Sequence, residues 1–323
     1  MVVKLLWIAV LLATDVLSIV DFPCKNDIKY HNLGICIIEK FHYDDLANLT
    51  EDSFPNATNL EFWDTYLPYF GVHVFEMLPA DIQQLTFRDG FIREIYLQSS
   101  SSIERLRILN TDLVTLDTVS EPNYSLKQLS VRSPVYSAWS QGLLYMKALE
   151  VIDVAYCNFS YLSLDWFEGY ENLRVLDVSK NRLQTIHSRP GLVMSTLEEL
   201  YLWGNRLEFV WRFPDAFPIV SIVNLSENLW SCTWVTLARD AIRDQGIVVI
   251  DSDYSCKVGW VNNGGLCCRL HEDVNPVPGR ANDDISSPSS WVVLADYILD
   301  DANDTVIGMR VGNSVVYLAK PLS

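Results

Sequence analysis

Leu173-Arg-Val-Leu-Asp-Val-Ser-Lys-Asn181-Arg-Leu183 is the stretch that decides the fold. Its apolar positions fall at 173, 176, 178 and 183, with Asn at 181. Leu197-Glu-Glu-Leu-Tyr-Leu-Trp-Gly-Asn205-Arg-Leu207 repeats it, and Val220-Ser-Ile-Val-Asn-Leu-Ser-Glu-Asn228 is a third copy. Weaker copies run back along the chain. They begin at Leu149, Leu126, Ile103, Ile82 and Leu60. The Asn-type position falls at 65, 90, 111, 134, 157, 181, 205 and 228, in steps of 25, 21, 23, 23, 24, 24 and 23 residues. So even a step makes the chain a repeat array, and an array of such units is a solenoid.

The pattern L-x-x-L-x-L-x-x-N-x-L resembles the leucine-rich repeat, over about residues 57–268. The expectation is an α/β solenoid, a leucine-rich repeat horseshoe with a parallel concave β-sheet and cysteine caps at both ends. The second and third Leu flank a short strand, so Leu side chains enter the core and the x positions face outward. The resemblance implies that the Asn side chain binds backbone at the turn and links neighbouring coils. Asn is lost at Thr65, Gly90, Thr111, Pro134 and Cys157, so the N-terminal half is expected to be less regular. Cys157 reads as a small buried replacement for Asn, an inert thiol rather than a reactive one.

The expected organisation is 1–18 signal peptide, 19–56 N-terminal cap, 57–228 about eight repeats, 229–272 cysteine flank, and 273–323 a linker with a short β-rich or mobile tail. Met1–Lys4 is a positive start, Leu5–Ala13 an apolar run, and Val16 and Ser18 are small residues suited to cleavage after Ser18. Nine apolar residues are too few for a membrane span, which needs about 20. Six N-x-Ser/Thr sequons, at Asn48, Asn56, Asn123, Asn158, Asn224 and Asn303, fit an extracellular glycoprotein.

The leucine-rich repeat resemblance also bears on the cysteines. Cys24 and Cys36 sit where an N-terminal cap bridge is found, and Asn228-Leu-Trp-Ser-Cys232-Thr-Trp234 resembles the opening of a C-terminal cysteine flank. Trp234 occupies the place of the usual second Cys, and Cys232–Cys256 is the expected surviving bridge. A helix is expected over Trp234–Arg243, with Val235, Ala238 and Ile242 on one side. Seven cysteines leave at least one thiol over. Adjacent Cys267 and Cys268 cannot easily bridge each other. Either one caps the flank and the other is buried or joined to the tail, or one stays accessible for an interchain disulfide. In the tail, Trp291–Leu299 and Thr305–Leu318 read as strands, the latter a hairpin turning at Gly312-Asn313.

The chain has 323 residues, with 24 Lys and Arg against 41 Asp and Glu, a net charge of −17. That balance argues against DNA, RNA or anionic membrane as partners. None of the five His lies in H-E-x-x-H, no Ser lies in G-x-S-x-G, and no Gly-rich phosphate loop is present, so no enzyme and no cofactor are expected. Cys267-Cys268-Arg-Leu-His271 lacks the two-residue spacer of a zinc knuckle, so no metal is expected.

The binding expectation rests on the x positions. Trp63, Asp64, Arg88, Asp89, Arg105, Arg107 and Arg132 come from early coils. Asp153, Tyr156, Asp177, Lys180, Glu199, Tyr201, Trp203, Asn224 and Glu227 come from later ones. The partner-binding set is Trp63, Arg88, Arg105, Arg107, Arg132, Asp153, Tyr156, Asp177, Tyr201 and Trp203. Arg, Tyr and Trp dominate protein interfaces. The alternative is a solvated face whose charges only keep the chain soluble.

The signal peptide, the short Cys24–Cys36 cap, the irregular early repeats and the flank ending in Cys267-Cys268 resemble the secreted leucine-rich repeat immune proteins of mosquitoes, of the type without a coiled coil. The resemblance implies a haemolymph protein whose partners are extracellular proteins: a complement-like thioester protein or another leucine-rich repeat chain. Two other functions remain open, an eggshell or matrix adhesion module and a microbial glycan or lipid pattern receptor acting through Tyr156, Tyr201 and Trp203.

Overall fold

The structure is a computed structural model, and it describes residues 21–25, 34–99, 101–270, 306–311 and 314–319. The expected signal peptide, its cleavage point and the strand at Trp291–Leu299 lie outside the described residues.

One parallel sheet of ten strands runs the length of the solenoid, in chain order. Its strands are β1 (Ile35–Glu39), β2 (Asn59–Tyr66), β3 (Gln84–Phe91), β4 (Arg105–Leu109), β5 (Gln128–Arg132), β6 (Val151–Asp153), β7 (Val175–Asp177), β8 (Glu199–Tyr201), β9 (Ile222–Asn224) and β10 (Val248–Val249). The register is unbroken: Leu60, Leu85, Leu106, Leu129, Ile152, Leu176, Leu200 and Val223 stand side by side and fully buried. This is the leucine-rich repeat fold expected from the pattern, with the sheet as its concave face. One coil cannot bury its apolar row alone, and stacking buries it between neighbours. The opposite side carries smaller parallel sheets, Tyr69–Phe70 with Glu94–Leu97 and Thr115–Thr118, then Tyr161–Ser163 with Thr185–His187.

The irregular early coils substitute rings for Leu. Phe62 stacks on Phe87 at 5.4 Å, Phe70 meets Phe87 edge-on at 4.8 Å, and Phe41 lies 5.5 Å from Phe62. Strands β2 and β3 each run for eight residues, against three in β6 to β9.

The Asn ladder is formed where the pattern is intact. Asn181 Oδ1 accepts the Phe159 N–H at 3.0 Å, Asn205 the Leu183 N–H at 3.0 Å, and Asn228 the Leu207 N–H at 3.1 Å. Where Asn is missing, other groups stand in. The buried Cys157 thiol donates to Val131 O at 3.2 Å, and burial pushes its pKa up to about 12. Ser133, before Pro134, donates its hydroxyl to Thr111 O at 2.7 Å. The Thr65 and Thr111 hydroxyls are buried without a partner.

A second column accompanies the ladder. The residue before each Asn-type position is left-handed: Asp64, Asp89, Asn110, Tyr156, Lys180, Gly204 and Glu227 all have φ between 51° and 69°. Ser133 is the exception, because a following proline disfavours helical backbone angles. This repeated turn aims the next residue inward for the ladder.

The N-terminal cap holds Cys24 to Cys36, and the Lys25 N–H donates to Ile37 O at 2.8 Å. At the other end the helix spans Cys232–Gln245 and buries Val235 and Ala238, with Ile242 packed against them. Trp234, in the place of the usual second Cys, stacks on Trp230 at 4.3 Å and is buried. The flank bridges are Cys232–Cys268 and Cys256–Cys267, not the expected Cys232–Cys256. The strand Leu266–Arg269 lies beside Trp230–Ser231 and places Cys268 over Cys232. Adjacent strand residues point to opposite faces, so Cys267 turns away and meets Cys256. Both members of the pair are therefore used internally, and the interchain alternative finds no thiol in the flank. Cys157 is the one free cysteine, and it is buried.

In the tail, Val306–Val311 pairs antiparallel with Ser314–Ala319, closing at Val311 opposite Ser314. That is the two-residue hairpin expected around Gly312-Asn313. No helix among the described residues is long and apolar enough to cross a membrane.

Candidate binding face

The unbroken register sorts the outward positions into rows. One row reads Glu61, Thr86, Arg107, Ser130, Asp153, Asp177, Tyr201 and Asn224, from β2 to β9. A second begins Trp63, Arg88, Leu109 and Arg132. Neighbouring strands lie about 4.8 Å apart, so each row is a contiguous line of side chains. Of the ten expected partner-binding residues, Trp63, Arg88, Arg107, Arg132, Asp153, Asp177 and Tyr201 stand in these rows, Arg105 shares the Arg107 face of β4, and Tyr156 and Trp203 lie in the turns beyond β6 and β8. The line changes character along the solenoid, from cationic through acidic to aromatic.

At the N-terminal end, Trp63 Nε1 donates to Glu61 at 2.8 Å, and the Arg88 guanidinium lies over the Trp63 ring at 5.5 Å. Arg105 and Arg107 stand on β4, two residues apart and both exposed. Neither forms an ion pair among the described residues.

The middle is tied down. Asp153 Oδ2 accepts from Arg132 Nη2 at 2.9 Å and from Ser130 Oγ at 2.8 Å, while its Oδ1 accepts the Ala155 N–H at 3.0 Å. Asp177 Oδ1 accepts the Ser179 N–H at 2.9 Å, and Asn224 Oδ1 accepts the Ser226 N–H at 3.2 Å. These three side chains make the same local turn in three coils, the usual work of Asx residues. Asn224 is only 5% exposed, so it is part of the scaffold and does not present its amide at the face. Burial raises the Asp177 pKa above the ordinary carboxylate value, and the Ser179 hydrogen bonds offset part of that.

At the C-terminal end, Arg132 lies 5.8 Å over Tyr156, Tyr156 meets Trp203 edge-on at 6.1 Å, and Lys180 sits 4.2 Å over Trp203. Lys180 also pairs with Glu227. Tyr201 donates to Glu199 at 2.6 Å; burial, with that hydrogen bond, pushes its pKa up to about 12. Cation–π contact and edge-to-face packing pre-order these side chains.

Three features escaped the sequence reading. Ser130 clamps Asp153. The left-handed turn shared by Asp64, Asp89, Tyr156, Lys180 and Glu227, all five already counted among the outward positions, forms a rim column. Beside that rim, His42 stacks on Tyr66 at 4.9 Å and Tyr66 on Phe91 at 5.0 Å. The signal for the last was available: Tyr66 and Phe91 each follow an Asn-type position by one residue.

Two sequons need correction. Asn123 is 1% exposed; its Oδ1 accepts the Ser125 and Leu126 N–H groups, both at 2.9 Å, and its Nδ2 donates to Ser99 O at 3.0 Å. Neither Asn123 nor the buried Asn224 has room for a glycan in the folded chain. Asn56 is exposed, Asn48 and Asn158 are half-buried, and Asn303 lies outside the described residues. Among the described residues no three His, Cys, Asp or Glu side chains are grouped to hold a metal ion.

The leucine rich repeat family profile matches residues 147–207. No curated protein matches the sequence. Among solved structures, the chain is similar to the LRIM1/APL1C complex, at 19% identity and a TM-score of 0.47, over 73% of this chain and 50% of that one. It is similar to the APL1 leucine-rich repeat domain at 18% identity and a TM-score of 0.47, over 72% and 71%. The mouse RP105/MD-1 complex follows at 13% identity and a TM-score of 0.36, over 67% and 46%. The chain therefore spans half the length of the first of these.

Proposed function

We propose that this chain is a secreted, non-enzymatic leucine-rich repeat protein of insect innate immunity that holds an extracellular protein partner on its concave face. The observation that carries the reading is the composition of that face. Arg88, Arg105 and Arg107 on one side, and Tyr156 and Trp203 on the other, flank a middle already satisfied by its own backbone. Pre-ordered rings and arginines are the side chains that anchor protein interfaces. Secretion is supported by three intrachain bridges, which need an oxidising compartment. The immune setting is supported by the layout that resembles the mosquito proteins. The partner is a complement-like thioester protein or another leucine-rich repeat chain, held without a covalent link through the described cysteines.

The test is capture from haemolymph of the tagged chain, its Tyr156→Ala/Trp203→Ala variant, and a Tyr161→Ala control on the opposite side. The expected result is one protein partner held by wild type and control and lost from the face variant, with equal secretion of all three. Retention by the face variant, or deposition as an insoluble cross-linked material, would sink the proposal.

A further inference from the structure

The concave face holds five arginines and lysines on or beside its central strands, and they differ in one respect. Arg132 is held by Asp153, and Lys180 by Glu227. Arg88, Arg105 and Arg107 hold no carboxylate among the described residues, although the chain carries 41 acidic residues against 24 basic ones. The acidic groups around them are engaged elsewhere. Glu61 accepts Trp63 Nε1 at 2.8 Å, Asp89 accepts the Asn110 amide at 2.7 Å, and Glu104 pairs with Lys127 at 3.0 Å. Like charges this close repel, and the fold leaves the repulsion in place.

The geometry restricts what relieves it. Arg105 and Arg107 are on one face of β4, two residues apart, a separation of about 6.8 Å. Arg88 on β3 is diagonal to Arg107, because Thr86 pairs Arg107 and Arg88 pairs Leu109. Thr86 and Leu109 form a small floor between them. An extended polypeptide repeats its same-face side chains at the same spacing of about 6.8 Å. Long polyanions fit poorly: Asp153 and Asp177 stand two and three strands away, in a chain of net charge −17.

We propose that Arg88, Arg105 and Arg107 form a subsite for an extended acidic segment of the partner protein, with carboxylates at alternate positions on Arg105 and Arg107 and a further one reaching Arg88. This rests on the concave-face reading above and names the partner chemistry at one end of it. Guanidinium groups suit the task because each offers a planar fork to a carboxylate. Trp63, beneath Arg88, holds that guanidinium in place from below.

The experiment uses the full secreted chain and a fluorescent peptide of alternating Glu and Thr, with a Gln/Thr peptide as comparison. The Glu peptide binds and the Gln peptide does not, and affinity falls about tenfold between roughly 50 and 300 mM NaCl. Arg105→Glu/Arg107→Glu lowers affinity at least about tenfold, while Arg182→Glu/Arg206→Glu, with the same change in net charge, leaves it near wild type. Equal loss in both variants overturns the proposal, since attraction is then merely global. So does tighter binding of heparin or duplex DNA than of the peptide. If the Glu peptide fails to bind while haemolymph capture still depends on Tyr156 and Trp203, the subsite is wrong and the binding face stands. If both fail, the face reading falls with it.

Discussion

Asn205 Oδ1 accepts the Leu183 N–H at 3.0 Å while its Nδ2 donates to Val178 O, also at 3.0 Å. One side chain thereby ties its own coil to the coil before it. The same Nδ2 donates to Leu202 O at 3.0 Å, so both amide hydrogens and one carbonyl lone pair of the buried side chain are used at once.

Replacing that amide exposes the cost of the ladder. Asn205→Ala strands the Leu183 N–H in the interior, at about 1–3 kcal/mol, while Val178 O keeps the Asn181 amide and Leu202 O keeps the Asn228 amide, each at 3.0 Å. A loss of about 2 kcal/mol is expected, read as a shift in the urea midpoint. A change below about 1 kcal/mol would show that water replaces the amide.

Gly90 occupies an Asn-type position with φ at 89°, and a Cβ there would meet Thr65 O at 2.4 Å and Thr65 N at 2.6 Å. Both contacts are backbone, so neither can swing aside. Gly90→Ala should destabilise by more than about 2 kcal/mol, or prevent secretion. Gly191, also left-handed, has nothing within 4 Å of its Cβ position and serves as the comparison. Equal effects of Ala at the two sites would remove the packing argument.

The flank bridges should rank by the loop each closes. Cys232–Cys268 spans 36 residues and Cys256–Cys267 spans 11. Loop entropy alone assigns about 4 and about 3 kcal/mol respectively. Peptide mapping without reductant should recover both pairs, and the chain should run as a monomer on a non-reducing gel. A dimer that dissolves on reduction would contradict the pairing.

Asp177 carries a carboxylate that burial makes harder to ionise, beside Asp153 on the neighbouring strand. Its folded pKa is raised, so the native state binds its proton more tightly than the unfolded chain. Its contribution to stability is present in full below the unfolded pKa and is lost as pH rises through the folded one. Asp177→Asn keeps the acceptor for the Ser179 N–H and removes the charge. The variant should therefore melt at or above wild type at pH 7, with the gap closing as pH falls through the carboxylate range. A gap that widens on acidification would show that the ionised form is stabilising.

Much of the fold was legible because a repeat makes its evidence many times over. Leu173, Leu176 and Val178 are weak signs of a strand taken once, but the same offsets recur at Leu197, Leu200 and Leu202. Errors in one copy are corrected by the next, down to the early coils where Phe62 and Phe87 replace Leu. The face was legible for the same reason, since alternation along a strand assigns each x position to one side. The cysteine flank was not legible. It is a single copy, and its pairing depends on β-type neighbours 30 or more residues apart, with Cys268 brought to Cys232 by the strand beside Trp230.

Periodicity by itself determined the solenoid, the parallel sheet, the buried Leu row and which side chains share a face, because these follow from local spacing and handedness. Only the tertiary structure decided which of those side chains are already spent. Asp153, Asp177 and Asn224 look like binding residues in a list of outward positions, and each is consumed by a backbone N–H two residues on. Arg132 and Arg107 are the same residue type on adjacent strands, yet only Arg132 has a carboxylate within reach. A hydrogen bond or ion pair depends on separations of about 3 Å between atoms from different coils, and spacing along the chain does not carry that information.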